Sequence, residues 1–386
     1  MKTIAGYQRA NGDIGIRNHL LIIPTVICSN QVCNRIMQMV PGAVSIPHQH
    51  GCSQIGADKK RTFDVLAGTG KNPNVGAVLI ISLGCEVVDP VELAEEIRKT
   101  GKRVEHFDIQ SAGGSVKAIT HGTELARSML AELEREEKAQ VPLSKLKIGV
   151  KCGGSDATSG LSSNPALGGA ADAVIAAGGS VVIGETTEII GAEHVLAERC
   201  VDGGTKDKLY EIVDRFEELI GQMGADMRGG NPSPGNIAGG LSTIEEKSLG
   251  CISKCGTAPI RGVIEYAEDI PDGGLYFMDS PGNDIECVSG MAAGGAHIVC
   301  FTTGRGTPTG AAVVPVIKIT GNPRTYKLME DNMDVDVSGM LSGEQSLAAA
   351  GEAIWQEIVE VAGGKWTKAE VLGHQEFSIN RIGPSL

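Results

Sequence analysis

The stretch Ala77-Val-Leu-Ile-Ile-Ser-Leu-Gly-Cys-Glu86 decides the reading of the fold. Five apolar residues in a row, then a glycine turn, read as a strand buried on both faces that ends in a loop. The same grammar recurs on either side. His19–Cys28 (HLLIIPTVIC) is a second buried strand, AVSIPHQHGC runs from a strand into a loop, and RVEHFDI supplies another. Between them Gln31–Met39, Ala57–Leu66, Pro90–Lys99 and the stretch SAGGSVKAITHGTELARSMLAELERE carry helical periodicity. Strands alternating with helices predict a mostly parallel, doubly wound sheet.

The pattern pauses at residues 134–145 (EREEKAQVPLSK), which are charged, carry a proline and have no apolar period. It restarts with LKIGVKCGG and continues through strands at 180–185, 274–280, 297–303 and 313–321. Helices are expected at Pro165–Ala177, Asp207–Met223 and Glu344–Val361. The expectation is two Rossmann-like α/β domains, residues 1–138 and 146–386. Residues 226–242 are too rich in Gly, Pro and Asn for regular structure, and a long loop of that kind tends to be functional.

Composition narrows the function classes. A net charge of −13 disfavours nucleic acid as a partner, and an anionic substrate would need local arginines. No apolar run approaches the ~20 residues that span a bilayer, and the first residues lack the apolar core of a signal peptide. Ten cysteines without regular spacing fit a reducing, cytoplasmic setting better than a disulfide framework.

Candidate chemistry gathers where the strands end, as ligand sites do in open α/β sheets. His48-Gln-His50-Gly-Cys52 places three metal-ligand side chains at alternate positions, which share a face if the strand continues. The plain alternative is two surface histidines beside a small thiol. Cys85-Glu86 is either a second ligand pair or simple packing. Cys152, with Ser155 and Asp156 in KCGGSDATSG, could present N–H and hydroxyl groups to a carboxylate, or form a capped βα turn. Glu185 and Glu188 offer paired carboxylates for acid–base work or a hard cation. Cys251-x3-Cys255 lacks the second pair of a zinc ribbon, although either thiol could reach a shared centre. Arg305 among glycines suits a bidentate carboxylate, and Arg9, Arg17 and Asn18 could hold a sugar-acid carboxylate. No P-loop occurs, and no C-x-x-C.

Seven ordered stretches (GYxRxNGxxGIRN, HxxGC, NPNVGAVLIISLGCE, KCGGSDATSGLSSNPALG, ETTEIIGAE, GNxAGGLSTIEEKSLGCISKCG and FTTGRGTPTG) together resemble the catalytic region of the altronate/galactarate dehydratase family. The resemblance covers nearly the whole chain. It implies dehydration of a sugar acid, or loss of sulfite as in a sulfolactate sulfo-lyase branch, with iron(II) or manganese. It also implies a separately encoded small subunit of the SAF type and a homo-oligomer of the large chain. Where the family often has a histidine before Pro-Asn-Val, this chain has Asn72. By the resemblance His48, His50, Cys52, Cys85, Glu86, Cys152, Glu185 and Glu188 belong to the reaction centre. Arg9, Arg17, Asn18, Ser155, Asp156, Asn236, Arg305 and Thr307 are the candidate substrate contacts. An iron–sulfur cluster on Cys52, Cys85 and Cys152 is an alternative to a single metal ion. A sugar-acid-binding module without turnover, and a thiol-redox protein, are the competing classes.

Overall fold

The computed structural model describes residues 3–384. Chain order gives fourteen strands: β1 (Thr3–Gln8), β2 (Ile14–Gly15), β3 (His19–Pro24), β4 (Ala43–Ser45), β5 (Val75–Ser82), β6 (Arg103–Asp108) and β7 (Ala139–Pro142), then β8 (Lys147–Cys152), β9 (Ser180–Ile183), β10 (Ile260–Ile264), β11 (Gly274–Met278), β12 (Ile298–Thr302), β13 (Val316–Thr320) and β14 (Val335–Asp336). They form a four-stranded parallel sheet ordered β4-β3-β5-β6 and a seven-stranded parallel sheet ordered β10-β11-β9-β8-β12-β13-β14. The α/β class and the parallel pairing follow the reading of the sequence. Every residue of β5 is buried, which is why its apolar run has no polar alternation.

Each sheet has a point where the chain reverses its direction of growth. In the small sheet it lies between β3 and β5, and in the large sheet between β8 and β12. Loops leaving the carboxyl ends of such strands diverge and leave a crevice. Cys85-Glu86 and Cys152 therefore both sit at reversal points.

The stretch 134–145, expected to be irregular, holds β7, which pairs antiparallel with β1 (Ile4 opposite Val141) and with β2 completes a small third sheet. Val141 is fully buried in the core of the large sheet, and that anchorage overrides the charged flanks. One hydrophobic core also runs between the two parallel sheets, with Leu21, Ile23 and Val78 from one side and Val182, Val299 and Phe301 from the other. Helices Gly56–Lys71 and Asp284–Ala293 meet inside it, and Gly68 lies so close to the Ala293 carbonyl that a Cβ would come within 2.5 Å. Asn72 and Asn74 stitch the same seam. Asn72 donates to the Ala292 and Ala296 carbonyls (2.8 and 2.9 Å), and Asn74 to those of His297 and Val313 (2.9 and 3.0 Å).

After helix Lys368–Leu372 the chain returns across this seam. Ser378 N–H donates to Ser289, the Ile379 carbonyl meets His50, and Asp58 accepts from the Ile382 and Gly383 N–H groups. No helix among the described residues is long and apolar enough to cross a membrane.

Candidate active site

At the β8/β12 reversal point the chain builds a buried cluster of charge. β8 ends in Lys151-Cys152, and β9, which ends at Ile183, is followed by Gly184-Glu185. Glu185 has φ of +71°, a left-handed conformation costly for a residue with a side chain and common at functional positions. A Cβ at Gly184 would collide with the Ser280 hydroxyl, while that hydroxyl accepts the Glu185 N–H at 2.7 Å. The turn is held so that the Glu185 carboxylate points back beneath the crevice.

That carboxylate receives two ammonium groups, Lys151 at 2.5 Å and Lys254 at 3.0 Å. Both lysine side chains are 0% exposed and Glu185 is 1% exposed. Lys151 also meets Asp284 at 2.8 Å. Lys254 reaches Cys251 Sγ at 2.6 Å and Cys152 Sγ at 3.4 Å, and the two sulfurs lie 3.6 Å apart. Burial alone would discharge such lysines. Burial is opposed by Glu185 and Asp284 around Lys151 and by Cys152, Cys251 and Glu185 around Lys254, which together raise both pKa values well above normal. Glu185 is held below its usual value because the two lysines outweigh its burial. Contact with Cys251 lowers the Cys152 pKa against its burial, while the same contact and burial raise Cys251. The contact thus drives the two thiols' pKa values apart.

Cys152, Glu185 and Cys251 form the one group of three donors, among the described residues, whose ligand atoms all lie within 4.8 Å of one another. Two sulfurs and a carboxylate suit a transition metal in chemical type. Lys254, however, is hydrogen-bonded or ion-paired to all three donors. The cation these donors hold is an ammonium, and a metal ion could enter only by displacing it.

Above the cluster opens a crevice of about 360 Å³ lined by Cys152, Ser155, Glu188, Asn236, Lys247, Asp284 and Arg305. Glu188 pairs with Lys247 at 2.9 Å, and Lys247 donates to Asn231 at 2.8 Å. Arg305 is exposed and donates to the Gly235 carbonyl at 2.5 Å. Asn236 donates to the Ser155 carbonyl, tying the glycine-rich stretch to the β8 loop. That stretch, expected to be irregular, contains the short helices Met227–Gly230 and Pro234–Ala238, the second closed by a reciprocal Ser233/Asn236 cap. Asp156 faces inward, accepting from Thr158 and Asn322, and Thr307 shares a hydrogen bond with Thr309 (2.9 Å).

The remaining candidates lie elsewhere. β4 stops at Ser45, so His48, His50 and Cys52 are in a loop and do not share a strand face. His48 has both ring nitrogens engaged, Nε2 with the Pro24 carbonyl (2.7 Å) and Nδ1 with the His50 N–H (3.1 Å). Burial lowers its pKa to about 4, so it is neutral, but it has no nitrogen free to take a substrate proton. His50 contacts the Ile379 carbonyl at 3.0 Å. Cys52 and Cys85 are exposed at the edge of the small sheet. Glu86 organises its own loop, accepting from Thr25 (2.5 Å) and the N–H groups of Leu83, Gly84 and Cys85. Of the three cysteines expected at one centre, Cys152 lines the crevice, and Cys52 and Cys85 do not. Cys152 belongs to the crevice of the large sheet, and Cys52 and Cys85 to the small sheet.

The N-terminal arginines are structural fastenings. Arg17 is buried, bidentate to Glu370 (2.7 and 2.9 Å), and donates to the Ile16, Val361 and Lys365 carbonyls. Arg9 donates to Pro73 O, Asn18 and Arg17 O, and Asn18 donates to Leu133 O. Neither guanidinium faces the crevice. Reading the sequence missed Lys151, Lys247, Lys254 and Asp284. The available signal was a lysine inside the otherwise apolar run Ile148–Cys152, which must find a buried counter-charge.

Comparison with known proteins identifies the frame of this site. Residues 6–134 match the D-galactarate dehydratase/altronate hydrolase second domain, and 143–385 the D-galactarate/altronate dehydratase C-terminal domain. The chain is 39% identical to the (2R)-sulfolactate sulfo-lyase subunit beta of Chromohalobacter salexigens, covering 99% of this chain and 98% of that one. It is 36% identical to the altronate dehydratase of Bacillus subtilis (100% of this chain, 79% of that one) and 37% to that of Escherichia coli (98% and 78%). With two family models spanning almost all of its length and full-length relatives that are dehydratases or lyases, the chain belongs to the D-galactarate/altronate dehydratase family and is a lyase.

Proposed function

We propose that this lyase eliminates the β-substituent of a 2-hydroxy acid to give a 2-keto acid. An altronate-type sugar acid losing water is the first candidate, and (2R)-sulfolactate losing sulfite is the second. The observation that supports this most is the crevice at the β8/β12 reversal point. It offers cations for an anionic acid (Arg305, Lys247) and carboxylates placed for proton transfer (Glu188, Asp284). The first reading fits the 36–37% relatives named as altronate dehydratases, the second the 39% relative named as a sulfo-lyase subunit.

In this reading Arg305 and the N–H groups of Gly154 and Ser155 bind the substrate carboxylate. Glu188, held by Lys247 at 2.9 Å, takes the proton from the α-carbon. The Lys151 ammonium, through the Asp284 carboxylate it is paired with, passes a proton to the departing β-hydroxyl, so water leaves and the enol collapses to the keto acid. Sulfite needs no such proton. The Lys151–Glu185–Lys254 array beneath contributes fixed positive charge where the enolate develops. Because Lys254 fills the Cys152/Glu185/Cys251 position, no step here passes through a metal ion at that centre. Iron(II), or manganese, bound by the enzyme would supply Lewis-acid stabilisation of the α-hydroxyl and carboxylate. A separately encoded small subunit, as the name of the sulfo-lyase relative suggests, and self-association of the large chain belong to the same proposal.

The test is direct. Protein purified anaerobically, alone and with a candidate small subunit, is given altronate, galactarate and sulfolactate, and keto acid and sulfite are measured. Turnover of one acid, lost in Glu188→Gln, supports the reading. Turnover unaffected by Glu188→Gln and Arg305→Ala places the reaction elsewhere.

A further inference from the structure

Ten cysteines occur in the chain, and three of them are exposed: Cys28, Cys52 and Cys85. Free cysteine is ordinarily among the most buried of residues, so three exposed thiols in one place ask for an explanation. All three follow the carboxyl ends of the adjacent strands β3, β4 and β5, at the reversal point of the small sheet. Cys28 is four residues beyond β3, Cys52 lies in the loop after β4, and Cys85 three residues beyond β5.

The three loops are fastened to one another. Ile27 N–H donates to the His50 carbonyl at 2.9 Å, joining the Cys28 and Cys52 loops. Val87 N–H donates to the Gly51 carbonyl at 2.8 Å, joining the Cys52 and Cys85 loops. Thr25 donates to Glu86 at 2.5 Å, joining the first to the third. Each cysteine is thus one or two residues from a hydrogen bond to a neighbouring loop. Gly51 has φ of +95° and a Cβ there would strike the Thr25 carbonyl, so the backbones pass as closely as they can. Gly84 (φ +121°) and Ser53 (φ +55°) bend the chain beside the other two thiols' positions at Cys85 and Cys52.

We infer that Cys28, Cys52 and Cys85 are the three protein ligands of an iron–sulfur cluster with one iron left open. Spacing disfavours a single ion. Three thiolates on one ion at ~2.3 Å stand roughly 3.8 Å apart, and these three are not among the donors that lie within 4.8 Å of one another. The cubane spreads its irons, and so its thiolates, further apart. Beside the loops opens a cleft of about 1090 Å³, whose walls include Gly84, Glu86, Lys59, His106 and His121. The three thiols are solvent-exposed, so an open iron held by them would be accessible to a small anion. The inference does not depend on which acid is the substrate. It differs from the cluster expected on sequence grounds by replacing Cys152 with Cys28.

The full chain is purified anaerobically and reconstituted with ferrous iron and sulfide, and iron, acid-labile sulfide and absorbance near roughly 400 nm are measured. About four irons and four sulfides per chain are expected. Cys28→Ser, Cys52→Ser and Cys85→Ser should each lower iron and sulfide more than fivefold, while Cys152→Ser and Cys251→Ser retain them. Because the first three side chains are exposed, circular dichroism should be unchanged. In unaltered protein a maleimide should label the three only after the iron is chelated. Absence of sulfide in the reconstituted protein, full retention in Cys28→Ser, or loss confined to Cys152→Ser and Cys251→Ser would each overturn the assignment.

Discussion

Glu185→Gln isolates what the buried charge cluster does for stability. The substitution preserves shape but removes the charge that faces Lys151 at 2.5 Å and Lys254 at 3.0 Å, all in side chains no more than 1% exposed. Asp284 remains, so the cluster is not stripped of negative charge. Removing one partner of a buried pair costs about 3–5 kcal/mol. At about 2 °C per kcal/mol for a chain of this length, Tm should fall by roughly 6–10 °C. The cost should reverse in part in Glu185→Gln/Lys254→Met, with a coupling of about 0.5–3 kcal/mol. The pH dependence carries a sign of its own. The folded pKa of Glu185 is depressed, so its contribution is present above the unfolded pKa, near 4.3, and is lost as pH falls through the lower folded value. Thermal melts between pH 3 and pH 8 should therefore show the variant and the parent converging at the acid end. Equal Tm values at neutral pH would refute the reasoning, because two buried ammonium groups would then have been stable without their shared carboxylate.

Arg305→Ala should raise KM roughly ten- to hundredfold, as expected for loss of a charge-assisted hydrogen bond of about 1.5–3 kcal/mol, with Tm unchanged because the side chain is exposed; steady-state kinetics check this. Arg17→Gln should do the opposite, lowering Tm and leaving KM alone, since its contacts are Glu370 and backbone carbonyls. His48 and His297 are buried, with pKa values lowered to about 4 by that burial. The unfolded chain binds their protons first, so stability should fall as pH drops from about 6.5 towards 4, by at most about 2.7 kcal/mol per pH unit for the two. Urea unfolding at several pH values would measure it, and replacing His297 with Gln should flatten the slope.

Strands buried on both faces were legible because nothing interrupts their apolar runs: β5 and β8 stand where AVLIISLGCE and LKIGVKC suggest. Alternation misled at His48-Gln-His50-Gly-Cys52, where period two is genuine but the strand has ended. Pro47 cannot donate to a ladder, and the loop turns His48 inward and Cys52 outward. The centre was half legible. Cys152, Glu185 and Glu188 announce themselves as polar groups at strand ends, but Lys254 acquires its meaning only from Cys152, 102 residues away, and from Glu185. Arg17 reads like a ligand-binding residue because its partner, Glu370, lies 353 residues further on. Long-range pairing of that kind leaves no local mark.

The returning C-terminal segment deserves a mechanical reading. Within three residues it bonds Ser289, His50, Glu286 and Arg61. His50 is two residues from Cys52, and Glu286 is two from Asp284, which holds Lys151. One strap therefore ties the loop before Cys52 to the helix that begins at Asp284, and acts as a gauge of the distance between them. The strap thereby joins the Cys52 loop to the first turn of the helix whose Asp284 lines the crevice. The loop and the helix are held to one spacing, as the jaws of one clamp.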